Sequence, residues 1–206
     1  MYITYIIMAV TIALSFYAWK QPSVMAKFIF NPYMAQRRNE FHRFITSGFI
    51  HQDHMHLLLN MFSFYFFGLA VETVFAGIFG SAGSLMFILL YLAAIVVSEI
   101  PTYLKHKNNP GYNSLGASGG VAAIIFAFII FRPVDNIYLY FIPIPGFILG
   151  TLYIVFSWYQ GRKSNDNINH DAHLYGALFG FVFCIIAYPK SISNFIYQIK
   201  NWEVFN

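Results

Sequence analysis

Apolar residues in this chain fall into long uncharged runs separated by short polar stretches, and the run lengths suit membrane crossings. Tyr2 to Trp19 carries no charge, and a helix needs about 20 such residues to cross the hydrocarbon. It lacks a basic leader and a small-residue cleavage site, so it reads as a retained helix over 2–19. The second run, 54–79, opens on His54, His56 and Asn60 and stays apolar until Glu72. The third, 85–104, has Glu99 and Pro101 towards its end, and the fourth, 116–131, holds neither charge nor proline. A fifth begins near Ile137 but is interrupted by Pro143 and Pro145, so its helix is expected over 143–160, regular only from Gly146. The sixth covers 171–188. The pattern predicts an all-α polytopic membrane protein of six helices in one domain, 1–206, without internal repeats.

Between the first two runs, Lys20 to Ile50 mixes Lys27, Arg37, Arg38 and Arg43 with Phe28, Phe30, Tyr33, Phe41 and Phe44. That interleaving predicts a loop in the membrane interface. The tail, 189–206, is at most amphipathic. Six crossings also impose a parity: helices two, four and six start on the same side. The polar residues at their mouths are His54, His56 and Asn60, then Ser118, then His173. Polar groups at membrane depth are costly and usually face an internal cavity, so three such clusters at one level predict a single site.

Composition agrees. The chain is 58% hydrophobic and 10% charged, with a mean hydropathy of +0.58, whereas soluble domains carry about 25% charged residues. The single cysteine, Cys184, excludes an intrachain disulfide and a thiolate metal site. The net charge of +4 is dispersed through loops, so no nucleic-acid surface is expected.

The chemistry centres on Gly116-Ala117-Ser118-Gly119-Gly120. A serine among small residues at a helix start can be approached closely, and it lies beside unpaired amides that stabilise negative charge. Serine needs a base within hydrogen-bond reach to act as a nucleophile. His173 shares one helical face with Gly176 and Gly180, and the two glycines leave that face thin. Helix four offers a matching face through Gly116, Gly119, Gly120 and Ala123. Packing these faces is expected to bring Ser118 to His173. His56 and Asn60, four residues apart, could join the Ser118 amide as donors to an oxyanion; the competing reading makes Asn60 an interhelical polar contact. His51, Asp53, His54 and His56 are the alternative metal reading, but no H-E-x-x-H spacing supports it, and no cofactor is expected.

Arg43 to His51, then His56, Asn60, Gly68 and Glu72, resembles the start of the rhomboid intramembrane serine protease core. Gly116-Ala117-Ser118-Gly119 is similar to that family's nucleophile motif, and Ala172-His173 with Gly176 and Gly180 to its last helix. The resemblance implies a rhomboid-type six-helix bundle around a water-filled cavity and a Ser118–His173 dyad without an aspartate. It also implies an oxyanion site from His56, Asn60 and the Ser118 amide, supported by Gly116 and Gly119. It further implies that the fifth helix borders the substrate gate. The expected substrates are, by the same resemblance, transmembrane segments of other proteins in the bilayer, and a bacterial inner membrane is the expected location.

Three departures stand out. Ala122 occupies a position where the family often has an aromatic residue stacked on the histidine. His42-Arg43 replaces the usual Trp-Arg pair. The family's orientation, with the N-terminus in the cytoplasm, puts nine Lys and Arg residues outside (20, 27, 37, 38, 43, 105, 107, 162, 163) and three inside (132, 190, 200), against the usual bias. Two other functions compete: a catalytically silent rhomboid-like binder of membrane segments, and a small transporter. A transporter would need polar residues along a path, whereas these cluster at one depth apart from Glu72 and Glu99.

Overall fold

The structure is a computed structural model that describes residues 2–139, 141–163, 166 and 168–203. The extremities of the expected 1–206 domain, and residues 164, 165 and 167 of the polar loop before the sixth run, lie outside the described residues.

Helix α1 (Ile3–Lys20) shows how a membrane sequence is packed. It buries Thr4, Ile7, Thr11, Ser15 and Ala18, spaced by three or four residues, while Tyr5, Ile6, Val10, Ile12, Phe16 and Tyr17 are exposed. Small and hydroxylated residues let helices approach closely, and the bulky apolar ones face outwards. The first amides of α1 are capped from outside the helix: Ile3 and Thr4 donate to the Glu72 carboxylate at 2.7 and 3.0 Å.

The interfacial stretch is not a plain loop. It folds into α2 (Pro22–Phe28), α3 (Pro32–Arg38), α4 (Arg43–Thr46) and a 3₁₀ turn at Ser47–Phe49. Both Pro22 and Pro32 stand at the helix start, where the missing N–H is not needed. Arg43 is buried and ties the segment together. It donates to the carbonyls of Ala26 and Ile29 at 2.8 and 2.7 Å and pairs with Glu40.

Helix α5 (His54–Phe79) is capped by Asp53, which accepts from His56 N–H at 2.8 Å. A turn at Gly80–Ala82 leads into α6 (Gly83–His106). Phe64 of α5 meets Phe87 and Tyr91 of α6, so the two form an antiparallel hairpin. Helix α7 (Ser118–Phe131) lies among these, and ten of its residues are buried.

Then comes a departure from the sequence expectation. Residues of the fifth run form an antiparallel hairpin, β1 (Asn136–Leu139) with β2 (Ile142–Pro145), before α8 (Gly146–Lys163). Pro143 and Pro145 lack the N–H a helix interior needs, and a two-stranded hairpin has only edges, where proline is tolerated. The expected helix 143–160 is therefore corrected to 146–163. Helix α9 (His170–Ala187), capped by Asn169, and α10 (Lys190–Lys200) complete the chain. In α10, Phe195 packs on Phe181 and Gln198 donates to Phe131 O at 3.1 Å.

Three segments, Ile3–Lys20, His54–His106 and His170–Ala187, are long and apolar enough to cross a membrane. The 53-residue segment comprises both α5 and α6, and Ser118–Phe131 is a shorter apolar helix.

Candidate active site

The thin faces read from the sequence do meet. A side chain at Gly176 would run into the Gly119 carbonyl, and one at Gly180 into the Ala123 carbonyl. Gly119 has a second neighbour, because a Cβ there would collide with the Ser98 hydroxyl on α6. Backbone-to-backbone contact of α7 with α9 thus requires glycine at 176 and 180 of α9, whereas Gly119 of α7 is required by Ser98 of α6.

Ser118 is the first residue of α7, and both it and His173 are half-buried. The helix ladder opens with Val121 N–H to Ala117 O at 2.9 Å. The amides of Ser118, Gly119 and Gly120 therefore lie in the turn that has no ladder partner. Among the described residues no hydrogen bond joins Ser118 to His173: the helices pack as expected, but the contact between the two side chains is not closed.

The loop leading to Ser118 is held from several sides. Gly116 has φ of +121° and its N–H donates to Ser47 O at 3.0 Å. A Cβ at Gly116 would lie 2.6 Å from His56 Cε1, which places the His56 ring against the loop that leads to Ser118. Ala117 N–H donates to His51 Nε2 at 3.2 Å, and His51 Nδ1 pairs with Ser15 Oγ at 3.0 Å. Since Nε2 accepts, the proton belongs on Nδ1, pointing at Ser15. Burial first, then the neighbouring His56, pushes the His51 imidazole down to about 3, so it is neutral at physiological pH. In the sequence His51 stands as a possible metal ligand and as the end of the Arg43–His51 motif, and neither points to this contact with the Ala117 amide. Asn60 is buried and its amide donates to His56 O at 3.0 Å, one turn back on its own helix.

With alanine at position 122, the aromatic ring that runs parallel to His173 comes from another helix. Tyr153 of α8 lies nearly parallel to His173, with ring centroids 6.4 Å apart and 13° between planes. Tyr153 in turn contacts Phe126, one turn beyond Ala122. An apolar cavity of about 250 Å³, lined in part by Phe126, Gly150, Ile154 and Phe181, lies between α7, α8 and α9. His173 also faces His170 at 6.1 Å, and His170 Nε2 pairs with Asp166 at 3.1 Å. Among the described residues no group of three His, Cys, Asp or Glu side chains is placed to hold a metal ion.

Comparison with known proteins gives a consistent picture. Residues 38–190 match the Rhomboid domain family. The chain is 34% identical over 167 residues to RHOMBOID-like protein 12, mitochondrial, of Arabidopsis thaliana, covering 73% of this chain and 49% of that one. It is 26% identical over 157 residues to the Bacillus subtilis (strain 168) protein YdcA, whose name carries the words rhomboid protease, covering 73% and 69%. Against the human presenilin-associated rhomboid-like protein, mitochondrial, identity is 25% over 170 residues, covering 77% and 41%. The chain thus spans about half the length, or less, of the two mitochondrial relatives.

Proposed function

The chain belongs to the rhomboid family, and we propose that it works as an intramembrane serine endopeptidase cutting transmembrane segments of other membrane proteins. The observation that carries the proposal is the glycine contact of α7 with α9, Gly119 against Gly176, which sets the starts of the Ser118 and His173 helices side by side. In this reading Ser118 Oγ attacks the peptide carbonyl carbon while His173 takes the hydroxyl proton. The carbonyl oxygen becomes an oxyanion between the Ser118 amide, His56 and Asn60. Collapse breaks the C–N bond, and His173 gives its proton to the leaving amine. Water then attacks the acyl-serine by the same route and restores Ser118. Catalytic hydrogen bonds are often long in a free enzyme and tighten with substrate. Tyr153 supplies the flat surface that keeps the His173 ring oriented.

We take the chain to cross the bilayer six times, the fourteen-residue α7 completing its crossing only with the non-helical residues that lead into Ser118, with the N-terminus in the cytoplasm, a bacterial inner membrane as the location and one domain over 1–206. The exposed apolar faces of α1, α5, α6, α8 and α9 support the crossings. A second reading, a catalytically silent rhomboid-like binder of membrane segments, draws on the open Ser118–His173 contact.

The test is cleavage of a model transmembrane substrate in proteoliposomes together with fluorophosphonate labelling. Ser118→Ala and His173→Ala should each abolish both, because nucleophile and base act as a unit. Proteolysis undiminished in Ser118→Ala would end the proposal, and a wild-type chain that neither labels nor cleaves would favour the binder.

A further inference from the structure

A carboxylate at membrane depth is costly unless its oxygens are engaged, and Glu99 on α6 is 7% exposed. Its hydrogen bonds reach two segments far apart in the sequence. Ser114 Oγ donates to the two carboxyl oxygens at 3.3 and 3.4 Å, and Asn169 Nδ2 donates to Oε2 at 3.1 Å.

Each partner stands four residues before one member of the proposed dyad. Ser114 precedes Ser118, and its backbone is fixed by a two-way exchange with Phe30, at 3.0 and 2.9 Å. Asn169 precedes His173 and caps α9. Its Oδ1 accepts from Ala172 N–H at 3.1 Å and from Thr102 Oγ1 at 3.0 Å, while its carbonyl accepts from His173 N–H at 3.2 Å. With Oδ1 held by two donors, Nδ2 has to point at an acceptor, and Glu99 is that acceptor. The amide orientation is therefore over-determined, and with it the entry angle of the helix that carries the histidine.

We infer that Glu99 is a positioning residue: one carboxylate sets the loop before Ser118 and the cap before His173 relative to each other. This rests on the Ser118–His173 reading. A rigid tie of this kind matters because about 1 Å of misplacement between reacting groups costs on the order of a hundredfold in rate. The glycine contact fixes the distance between α7 and α9, and the Glu99 tie fixes how far each has slid along its axis.

The test uses the full chain in detergent, wild type beside Glu99→Leu and Glu99→Gln. Glu99→Leu removes both acceptors, and the fluorophosphonate rate at Ser118 and kcat should fall about tenfold or more with KM within about twofold. Glu99→Gln should recover most of the loss, since its amide oxygen accepts from Asn169 and its NH₂ donates to Ser114 Oγ. Adding Asn169→Ala to Glu99→Leu should lower the rate by less than the sum of the two single effects, because the two share one interaction, with the lost α9 cap accounting for what the second change adds. A lowered melting temperature with kcat per folded molecule unchanged would overturn the inference. Hydrogen–deuterium exchange at 114–118 and 169–173 gives an answer independent of activity. Glu99→Leu should quicken both segments, and no change at either would also overturn it. A wild-type chain that never labels at Ser118 but shows the coupled exchange would refute the dyad and leave the tie standing.

Discussion

Replacing Gly176 with alanine adds one methyl group, and its effect can be worked from the geometry. The new Cβ would fall on the Gly119 carbonyl oxygen and lie 2.9 Å from Gly119 C and 3.0 Å from its Cα. All three are backbone atoms, so no rotamer change relieves the contact. Ordinary van der Waals contact begins at 3.4 Å, so α9 must retreat from α7 by about 0.5 Å to clear the carbon and by on the order of 1 Å to clear the oxygen. Gly119 follows Ser118 directly, and Gly176 is one turn from His173, so the retreat opens the proposed dyad itself. A displacement of about 1 Å lowers kcat on the order of a hundredfold, equivalent to about 2.7 kcal/mol in the barrier. Overpacking lowers stability by about 1–3 kcal/mol as well. Gly180→Ala strains the same pair of helices, 2.6 Å from Ala123 Cα, but one turn further from Ser118. It should lower the melting temperature comparably and kcat less. Turnover of a transmembrane substrate and melting temperature, measured on one detergent preparation, separate the two effects. Gly176→Ala with kcat within about twofold of wild type would refute the reasoning, because the helices would then have absorbed the methyl group without moving the site.

Two further outcomes are expected. Asn60→Ala and His56→Ala should each lower kcat by on the order of a hundredfold with melting temperature little changed, since an oxyanion donor acts mainly once charge develops; a stability loss alone would leave Asn60 as the contact it makes with His56 O. For His51 the sign follows from its value of about 3 in the folded chain against about 6.5 when unfolded: its contribution is complete above about pH 6.5 and is lost towards pH 3, by up to about 1.4 kcal/mol per unit. Melting of wild type should therefore drop between pH 7 and 5 more steeply than that of His51→Gln, and equal slopes would contradict the assignment.

Much of the architecture was legible because it rests on run length. The helices over Ile3–Lys20, His54–Phe79 and His170–Ala187 lie within a residue or so of the apolar runs. The β1–β2 hairpin was not legible: two prolines mark where a helix cannot be, but not what replaces it. Arg43 looked like an interfacial cation, and only the carbonyls of Ala26 and Ile29, brought round by α2, make it a buried tie. At the site, the glycine spacing of α9 and the small residues of α7 announced a close approach from sequence alone. Tyr153, His51 and Glu99 did not announce themselves. Each acts on a residue from another part of the chain, and a tyrosine, a histidine or a lone carboxylate in an apolar run carries no local signal of its partner. A search for what substitutes for the aromatic at position 122 would have needed the packing of α8.

Helix α7 has fourteen residues, or about 21 Å at 1.5 Å per residue, between α5 and α6 of 26 and 24 residues. Hydrocarbon is about 30 Å thick, so α7 falls roughly 9 Å short of crossing it. If its far end, beside Arg132, reaches one interface, Ser118 is sunk about six residues' worth of helical rise below the other. On the proposed function, a guest segment arriving as a helix would pass that depth with each carbonyl already bonded to an amide four residues on. Nothing there is free for a hydroxyl to attack until the guest comes undone, and in lipid a freed backbone group has no water to turn to. For the proposed protease, selectivity would then follow less from the shape of any side-chain pocket than from how readily a stretch about two turns inside the bilayer gives up its own helix.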